Sequence, residues 1–365
     1  MLPNQVSFQL DGKEITVSAG ISVRKAALRS GVYVPGLCSH PELNPFKPFA
    51  WSEEVWQGEN RFTPVTEAEF PHCNLCQVEI NGELTRACTA PVSDGLTVTT
   101  TSPRINQVRR EALKNILAHH PHACLSCAQA EGCSLTQCSM NVPENERCCE
   151  LLGRCELGKV ADYIGIPPDT PRYQPRRRNS IADEPLFIRD YELCINCLRC
   201  VRVCRDVRGV DVLGAVSHQD EIYVGTKKGP HLVDALCRFC GACVEVCPTG
   251  ALRDKKDTIH LVDGQAPCAA ACPLGIDAPG YIELTARGLD REALELIRER
   301  AVLPGVLGYA CFHPCEDKCR RAALDQPASI CALKRYAAEA GRDHSSPPFH
   351  SPPAKRGGKE GGDKL

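Results

Sequence analysis

The arrangement of the cysteines constrains this chain more than any other feature. The sequence of 365 residues contains 25 cysteines, and nearly all of them fall into tight groups. Cysteines that only fill a hydrophobic core would be scattered, so the groups indicate a shared chemical role. The N-terminal stretch MLPNQVSFQLDGKEITV lacks the basic region and apolar core of a secretory signal. We therefore expect a cytoplasmic protein whose thiols bind soft metals and do not form disulfides.

Composition and charge exclude several other classes of protein. An apolar content of 43% is enough for packed cores, and the chain length suggests about two or three domains. The net charge of −2, with acids and bases intermixed, gives no indication of a nucleic-acid partner. No apolar run approaches the length of a membrane span. The basic run Arg176 to Arg178 lies in the proline-rich stretch PPDTPRYQPRRRNS, and we interpret residues 166–185 as a solvated linker.

Two copies of the run C-x2-C-x2-C-x3-C follow this linker, at residues 194–204 and 237–247. The pattern is typical of bacterial ferredoxins, in which three close cysteines bind one four-iron cluster and the fourth binds the neighbouring cluster. That rule predicts one cluster bound by Cys194, Cys197, Cys200 and Cys247. It predicts a second cluster bound by Cys237, Cys240, Cys243 and Cys204. The small residues Gly241 and Ala242 would let the backbone approach this second cluster.

The first hundred residues contain a smaller cysteine group. The stretch VSFQLDGKEITVSAG predicts a β-hairpin around Asp11 and Gly12, and SVRKAALRSG predicts a helix that ends at Gly31. Four loop cysteines follow: Cys38, Cys73, Cys76 and Cys88. A hairpin and helix beside four exposed thiols favour a β-grasp ferredoxin with one [2Fe–2S] cluster. A structural zinc bound by the same four thiols is the alternative.

A histidine joins the next group of cysteines. A helix is predicted from Pro103, capped by Ser102, and it leads into the stretch HHPHACLSCAQAEGCSLTQC. The spacing H-x3-C-x2-C-x5-C is formed by His120, Cys124, Cys127 and Cys133. One histidine and three cysteines suit a structural zinc as well as an iron–sulfur cluster, so this stretch alone leaves both open.

The order of these motifs carries a resemblance to a known family. The stretches SVRKAALRSGVYVPGLCSH and HHPHACLSCAQAEGC and the paired cysteine runs resemble the N-terminal iron–sulfur region of the large, NuoG-like subunit of NADH:quinone oxidoreductase. The same region occurs in NAD-linked hydrogenases and formate dehydrogenases, and the resemblance covers residues 5 to 255. It implies that His120, Cys124, Cys127 and Cys133 bind a four-iron cluster and that His119 and His122 are not ligands.

The chain departs from this family in two places. The gap between Cys38 and Cys73 is longer than usual, and we interpret residues 46–72 as a loop insertion over the two-iron cluster. Its two tryptophans either form a partner surface or pack locally. Further cysteines, absent from simple family members, follow the histidine motif at Cys138, Cys148, Cys149 and Cys155. They suggest another four-iron cluster or a structural zinc, and the sequence does not choose between the two.

The last part of the chain has a different character. Residues 264–341 are predicted to be helical and resemble the N-terminal iron–sulfur domain of the glutamate synthase small subunit. Candidate ligands are Cys268, Cys272, Cys311, Cys315 and Cys319. The C-x2-C pair that relatives carry upstream is absent, and Lys334 stands where some relatives offer a carboxylate or amide ligand. We therefore expect one cluster here and interpret Cys331 as a buried thiol.

Residues 342–365 are rich in proline, glycine, serine and lysine, and we expect them to be disordered. Relatives instead continue into a glycine-rich turn that binds a dinucleotide. We interpret the chain as C-terminally truncated, with a natural short subunit as the alternative.

These observations together predict an α+β chain with six segments. They are a two-iron ferredoxin domain (1–103), a His/Cys cluster domain (104–165), the linker (166–185), a paired four-iron ferredoxin domain (186–258), a helical iron–sulfur domain (264–341) and the tail. We expect one [2Fe–2S] cluster, at least three [4Fe–4S] clusters and one or two further clusters or a zinc.

The predicted function is electron transfer. The chain would relay single electrons between a flavoprotein that oxidises NAD(P)H and a partner dehydrogenase, hydrogenase or quinone-linked complex. The sequence has no catalytic triad and no phosphate-binding glycine loop, so we expect neither FAD nor NAD(P) in this chain and no catalysis by it alone. The competing hypothesis is a multi-zinc scaffold or nucleic-acid-binding protein.

Overall fold

The computed structural model describes residues 5–41, 43, 49–65, 69–128, 133, 137–255 and 266–342. The predicted disorder of residues 343–365 lies outside the described residues, as do parts of the predicted insertion. The strands are β1 (Gln5–Leu10), β2 (Lys13–Ser18), β3 (Val55–Gln57), β4 (Asn60–Phe62), β5 (Gln77–Ile80), β6 (Glu83–Arg86), β7 (Thr97–Thr99), β8 (Ser180–Ile181), β9 (Phe187–Asp190), β10 (Leu213–His218), β11 (Glu221–Thr226) and β12 (Leu252–Asp254). The α-helices are α1 (Val23–Arg29), α2 (Pro103–Leu117), α3 (Glu156–Ile164), α4 (Arg199–Arg202), α5 (Ala242–Glu245), α6 (Pro267–Ala270), α7 (Ala278–Ala286), α8 (Asp290–Arg298), α9 (Pro304–Ala310), α10 (Pro314–Asp317) and α11 (Ile330–Ala340).

A mixed five-stranded sheet forms the N-terminal unit, with the strand order β2-β1-β7-β5-β6. Strand β1 runs parallel to β7 and antiparallel to β2. Asp11 and Gly12 form the predicted turn, and both have positive φ (49° and 77°), which a tight hairpin requires. Helix α1 begins after Ser22, whose hydroxyl accepts a hydrogen bond from the backbone of Lys25 at 3.3 Å. The predicted hairpin around Asp11 and Gly12 and the predicted helix before Gly31 are both present.

Helix α2 connects this unit to the histidine motif. The Ser102 hydroxyl accepts a hydrogen bond from the backbone N–H of Ile105 at 3.2 Å, as the predicted cap requires. Leu113 and Leu117 are fully buried and pack with Leu157 and Val160 of α3. The predicted apolar face of this helix therefore holds the histidine motif against the rest of the molecule.

The described part of the predicted insertion (46–72) contains two strands that pack on the paired cysteine unit, and its last residue, His72, forms a side-chain hydrogen bond with Cys38 of the two-iron site. Strands β3 and β4 form a hairpin that extends the β10–β11 hairpin into a four-stranded sheet, with Trp56 paired to Thr226. Trp51 packs edge-on against Phe49 at a ring distance of 5.1 Å, and both contact the core of the paired cysteine unit. Local packing of the tryptophans, one of the two alternatives, is what the structure shows.

The predicted solvated linker also needs correction. Strand β8 joins β9 and β12 in a three-stranded sheet. Arg178 has a side chain only 3% exposed, which pairs with Glu221 at 2.8 Å and lies 4.6 Å from the ring centre of Tyr223. Arg176 donates a hydrogen bond to the Cys194 carbonyl at 2.6 Å. Two arginines of the basic run, Arg176 and Arg178, therefore pack against the ferredoxin-like unit, because their charges are satisfied by residues distant in sequence, whereas Arg177 is exposed.

Helices α6 to α11 form the last unit of the described chain. Ala293 and Ile297 of α8 are buried as predicted, together with Leu294, and α11 ends before Gly341 as predicted. Tyr281 is buried among these helices and donates a hydrogen bond to the Ile330 carbonyl at 2.8 Å. In the described part of the chain, no helix is long and apolar enough to cross a membrane.

Candidate metal centres

The four N-terminal cysteines converge at one edge of the first sheet. Cys38, Cys76 and Cys88 are almost completely buried. A thiol hydrogen bond to Cys73 lowers the pKa of Cys38 and raises that of Cys73. The Cys88 thiol forms hydrogen bonds with the Cys38 and Cys76 thiols. These bonds raise the pKa of Cys88 and lower the pKa of Cys76. The structure therefore brings all four predicted ligands into mutual contact.

His120 has the properties of a metal ligand. Its side chain is buried, and its Nδ1 atom lies 2.8 Å from the carbonyl oxygen of Pro121. That carbonyl can only accept, so Nδ1 donates and the lone pair resides on Nε2. The Nε2 atom is buried without a hydrogen-bond partner. Burial lowers the pKa of His120 to about 4, which keeps the imidazole neutral.

Among the additional cysteines, Cys148, Cys149 and Cys155 lie close to one another, and their binding of a further cluster or a zinc stays a prediction. The Cys148 backbone N–H donates to the Cys124 sulfur at 3.3 Å, and the Cys148 thiol donates to the Pro121 carbonyl at 3.6 Å. Burial raises the pKa of Cys149, and the nearby Cys155 and Cys247 raise it further. Cys138 lies elsewhere, at a turn where the backbone N–H of Val142 lowers its pKa.

The paired runs line two separate cavities in the crossed arrangement that the ferredoxin rule predicts. One cavity is lined by Cys194, Cys197, Cys200 and Cys247. The other is lined by Cys204, Cys237, Cys240 and Cys243. The pKa of Cys200 is raised by burial and then by the neighbouring thiolates of its own set. Assignment of these thiols as cluster ligands stays a prediction.

Both runs use the same backbone geometry around their first cysteine. The N–H of Asn196 donates to the Cys194 sulfur at 3.4 Å, and the N–H of Phe239 donates to the Cys237 sulfur at 3.3 Å. Asn196 and Phe239 both have positive φ (55° and 54°), which turns their amide groups towards the sulfur. Such N–H···S bonds favour the thiolate form that binds iron.

Two arginines inside the first run connect it to the two-iron loop, and the sequence analysis missed them. The buried Arg199 donates to the carbonyl oxygens of Gly36 at 2.9 Å and Ser39 at 2.6 Å. Arg202 donates to the carbonyl oxygen of Cys38 at 3.0 Å. Charged residues between ligand cysteines were the available signal, but the partners lie about 160 residues away. These bonds fix the distance between two candidate metal centres.

The cysteines of the helical unit fall into two subsets. Burial raises the pKa of Cys268 to about 12, and the nearby Cys319 raises it further. Burial also raises the pKa of Cys315 to about 11, with Cys272 and Cys311 close by. Lys334 is buried near Cys315, and the Cys331 thiol donates to the Gly308 carbonyl at 3.5 Å.

The donor atoms and their surroundings fit iron–sulfur clusters. The groups are thiols and one neutral imidazole, which are the ligands that iron–sulfur clusters take in proteins. The two cavities of the paired runs are walled almost entirely by apolar side chains. Among the described residues, no group of three His, Cys, Asp or Glu side chains is spaced to hold one metal ion, whereas the ligands of a cluster bind separate iron atoms and lie farther apart.

Three family models match the chain. Residues 3–51 and 65–103 match a 2Fe-2S iron-sulfur cluster binding domain, and the gap between them contains the β3–β4 hairpin. Residues 185–253 match the ferredoxin-like domain of NADH-quinone oxidoreductase subunit 3. Residues 260–346 match domain II of dihydropyrimidine dehydrogenase, which carries a 4Fe-4S cluster. The chain is thus a mixed α/β iron–sulfur protein with 2Fe–2S and 4Fe–4S ferredoxin-like domains.

Curated relatives identify the family more closely. The chain is 30% identical to the NADP-reducing hydrogenase subunit HndD of Solidesulfovibrio fructosivorans, over 72% of this chain and 38% of the relative. It is 26% identical to the mitochondrial NADH-ubiquinone oxidoreductase 78 kDa subunit of Neurospora crassa, over 69% of this chain and 28% of the relative. A solved NAD⁺-reducing [NiFe]-hydrogenase aligns with a TM-score of 0.49 at 25% identity, over 72% of this chain and 92% of that one.

These matches show that the chain is a homologue of the iron–sulfur subunits of NADH:quinone oxidoreductases and NAD(P)-linked hydrogenases. The chain spans between about a quarter and two fifths of the length of the curated relatives it matches. The multi-zinc scaffold hypothesis finds no support among the matches.

Proposed function

We propose that this chain relays single electrons between a flavin site that oxidises NAD(P)H and a partner redox enzyme. The observation that carries the proposal is the series of thiol-lined sites, two of which Arg199 and Arg202 hold at a fixed separation. Clusters exchange one electron at a time, whereas NAD(P)H gives up a hydride, so a flavin on a partner must connect the two. The relatives' names support hydrogenase, iron-reducing or quinone-linked partners.

The proposal assigns four ligand sets. They are Cys38, Cys73, Cys76 and Cys88 for a [2Fe–2S] cluster, and His120, Cys124, Cys127 and Cys133 for a [4Fe–4S] cluster. The two crossed sets of the paired runs bind the other two [4Fe–4S] clusters. A fifth cluster would use Cys272, Cys311, Cys315 and Cys319 of the helical unit, with Cys268 as the other candidate. When bound, the clusters supply sites for single electrons.

The finer arrangement of domains also belongs to this proposal. A β-grasp unit at residues 1–103 would hold the two-iron cluster, and residues 104–165 the histidine-ligated cluster. The paired ferredoxin unit would occupy residues 186–258, and the helical unit residues 264–341. The apolar walls of the two cysteine cavities support this assignment, because they would exclude water from the bound clusters.

Metal and sulfide analysis of anaerobically purified protein tests the proposal. One two-iron and three four-iron clusters predict about 14 iron atoms per chain with an equal number of acid-labile sulfides, and the fifth cluster would add about four of each. A Cys197→Ser variant should lose up to about four of these irons. A Cys331→Ser variant serves as the matched control and should lose none. Zinc in place of iron, with no sulfide, would refute the proposed electron-transfer function.

A further inference from the structure

The helical unit packs directly against the second cysteine run of the paired unit. Glu283 of α7 is buried and pairs with Arg238, which lies next to Cys237, at 2.9 Å. Arg208 and Asp277 form a second pair across the same boundary at 3.6 Å. A cavity of about 250 Å³ between the units is lined by cysteines from both, namely Cys240, Cys268 and Cys319. The helical unit is therefore in fixed contact with one particular candidate cluster site.

Arg320 of the helical unit reaches the ligand loop of that site. It follows Cys319 directly, and its side chain is only 8% exposed. The guanidinium group forms an ion pair with Asp254 at the end of β12, and its central carbon lies 5.1 Å from the ring centre of Phe187. A Cβ atom at position 241 would overlap the guanidinium group, so Gly241 leaves the space that Arg320 occupies.

The position of this charge matters because of its sequence neighbours. Gly241 stands between Cys240 and Cys243, two of the four thiols that line the second cavity. One-electron reduction adds one negative charge to a cluster bound there. A buried guanidinium beside the ligand loop stabilises that added charge, since electrostatic interactions are stronger away from water.

We propose that Arg320 is a positioning residue through which the helical unit raises the reduction potential of the cluster bound by Cys204, Cys237, Cys240 and Cys243. The inference rests on the proposed function, because it requires a cluster in that cavity. Asp254 holds the guanidinium in place and partly offsets its charge. Removing the arginine therefore takes away one positive charge and leaves Asp254 unpaired, and both changes disfavour reduction.

Anaerobic redox titration of the full chain, followed by electron paramagnetic resonance, tests this role. A Cys240→Ser variant first identifies the signal of the second-run cluster. Arg320→Gln should shift the midpoint potential of that signal to more negative values, and Arg320→Lys should shift it less. Asp254→Asn should shift it in the opposite direction. Arg291→Gln is the matched control, because Arg291 of α8 is 73% exposed and pairs with the exposed Glu295.

The outcomes separate this inference from the proposed function. Wild-type protein without iron and sulfide would refute the proposed function before any variant is made. Normal iron content with an unchanged potential in Arg320→Gln and Asp254→Asn would overturn the role of Arg320. An equal shift of all cluster signals, or the same shift in Arg291→Gln, would also overturn it. If Arg320→Gln loses iron, the other two variants still test the role of Arg320. The midpoint potential should become slightly more negative in Arg320→Lys and more positive in Asp254→Asn.

Discussion

At the scale of single residues, His120 differs chemically from every other predicted ligand. Its Nδ1 atom donates a hydrogen bond to the Pro121 carbonyl oxygen, and its buried Nε2 atom has no hydrogen-bond partner. A neutral imidazole brings one negative charge less to a cluster than a thiolate, and this raises the reduction potential. The preceding His119 is exposed and offers no such arrangement.

Replacement of this ligand gives a directional prediction. His120→Cys should keep four irons at the site and lower the midpoint potential of that cluster by on the order of 100 mV. Redox titration followed by electron paramagnetic resonance measures the shift. His119→Ala is the control and should have a much smaller effect. An unchanged potential in His120→Cys would show that His120 is not a ligand.

At the scale of structural elements, Arg199 links helix α4 to two other parts of the molecule. Its guanidinium group bonds the carbonyl oxygens of Gly36 and Ser39 and forms an ion pair with Glu156 of α3. Loss of one partner leaves buried polar groups unsatisfied, and buried pairs broken in this way typically lose about 3–5 kcal/mol. Glu156 is 35% exposed, so solvent screens part of this loss.

We therefore expect Arg199→Leu to destabilise the chain by about 2 kcal/mol, below the range for fully buried pairs. The same change frees the loop that carries Cys38, so the two-iron signal should decline before the others. The urea concentration that releases half of the iron measures the first effect, and electron paramagnetic resonance measures the second. Arg291→Gln, which breaks an exposed pair with Glu295, should change neither. A two-iron signal of wild-type stability in Arg199→Leu would contradict this link.

Elements that depend on local sequence were predictable, and elements that depend on distant partners were not. The β1–β2 hairpin and helices α1, α2 and α11 carry their own turn, cap and stop residues, and the structure contains all of them. Strand β3 is only three residues long and forms because β11 offers its edge, with Trp56 opposite Thr226. Arg178 was misread for the same reason, because Tyr223 and Glu221 bury it from more than forty residues away.

The candidate sites follow the same division. Cysteine spacing predicted which thiols line each cavity of the paired unit, including the exchange of Cys204 and Cys247 between the two. Spacing could not predict that Cys148 lies beside Cys124 while Cys149 lies near Cys247. Adjacent side chains point in different directions, and only the path of the backbone decides which neighbour each one meets.

At the scale of the whole molecule, the described units form a connected series of thiol groups. Arg199 and Arg202 join the two-iron loop to the first cysteine run. The crossed cysteines Cys204 and Cys247 join the two runs to each other. Arg238 and Arg320 join the second run to the helical unit. Each contact keeps neighbouring sites at a fixed separation, which suits transfer of electrons between them.

A chain of this kind should conduct electrons without oxidising NAD(P)H itself. Its sequence contains no phosphate-binding glycine loop, and single-electron sites cannot accept a hydride directly. We expect the purified 365-residue chain, with its clusters intact, to contain no stoichiometric flavin. It should not reduce artificial acceptors with NADH or NADPH until a flavoprotein partner is added. Chain reduced with dithionite should reduce the same acceptors directly, which shows that its clusters are functional. Stoichiometric FAD in the isolated chain, or NAD(P)H oxidation without a partner, would instead reveal a nucleotide site within this chain.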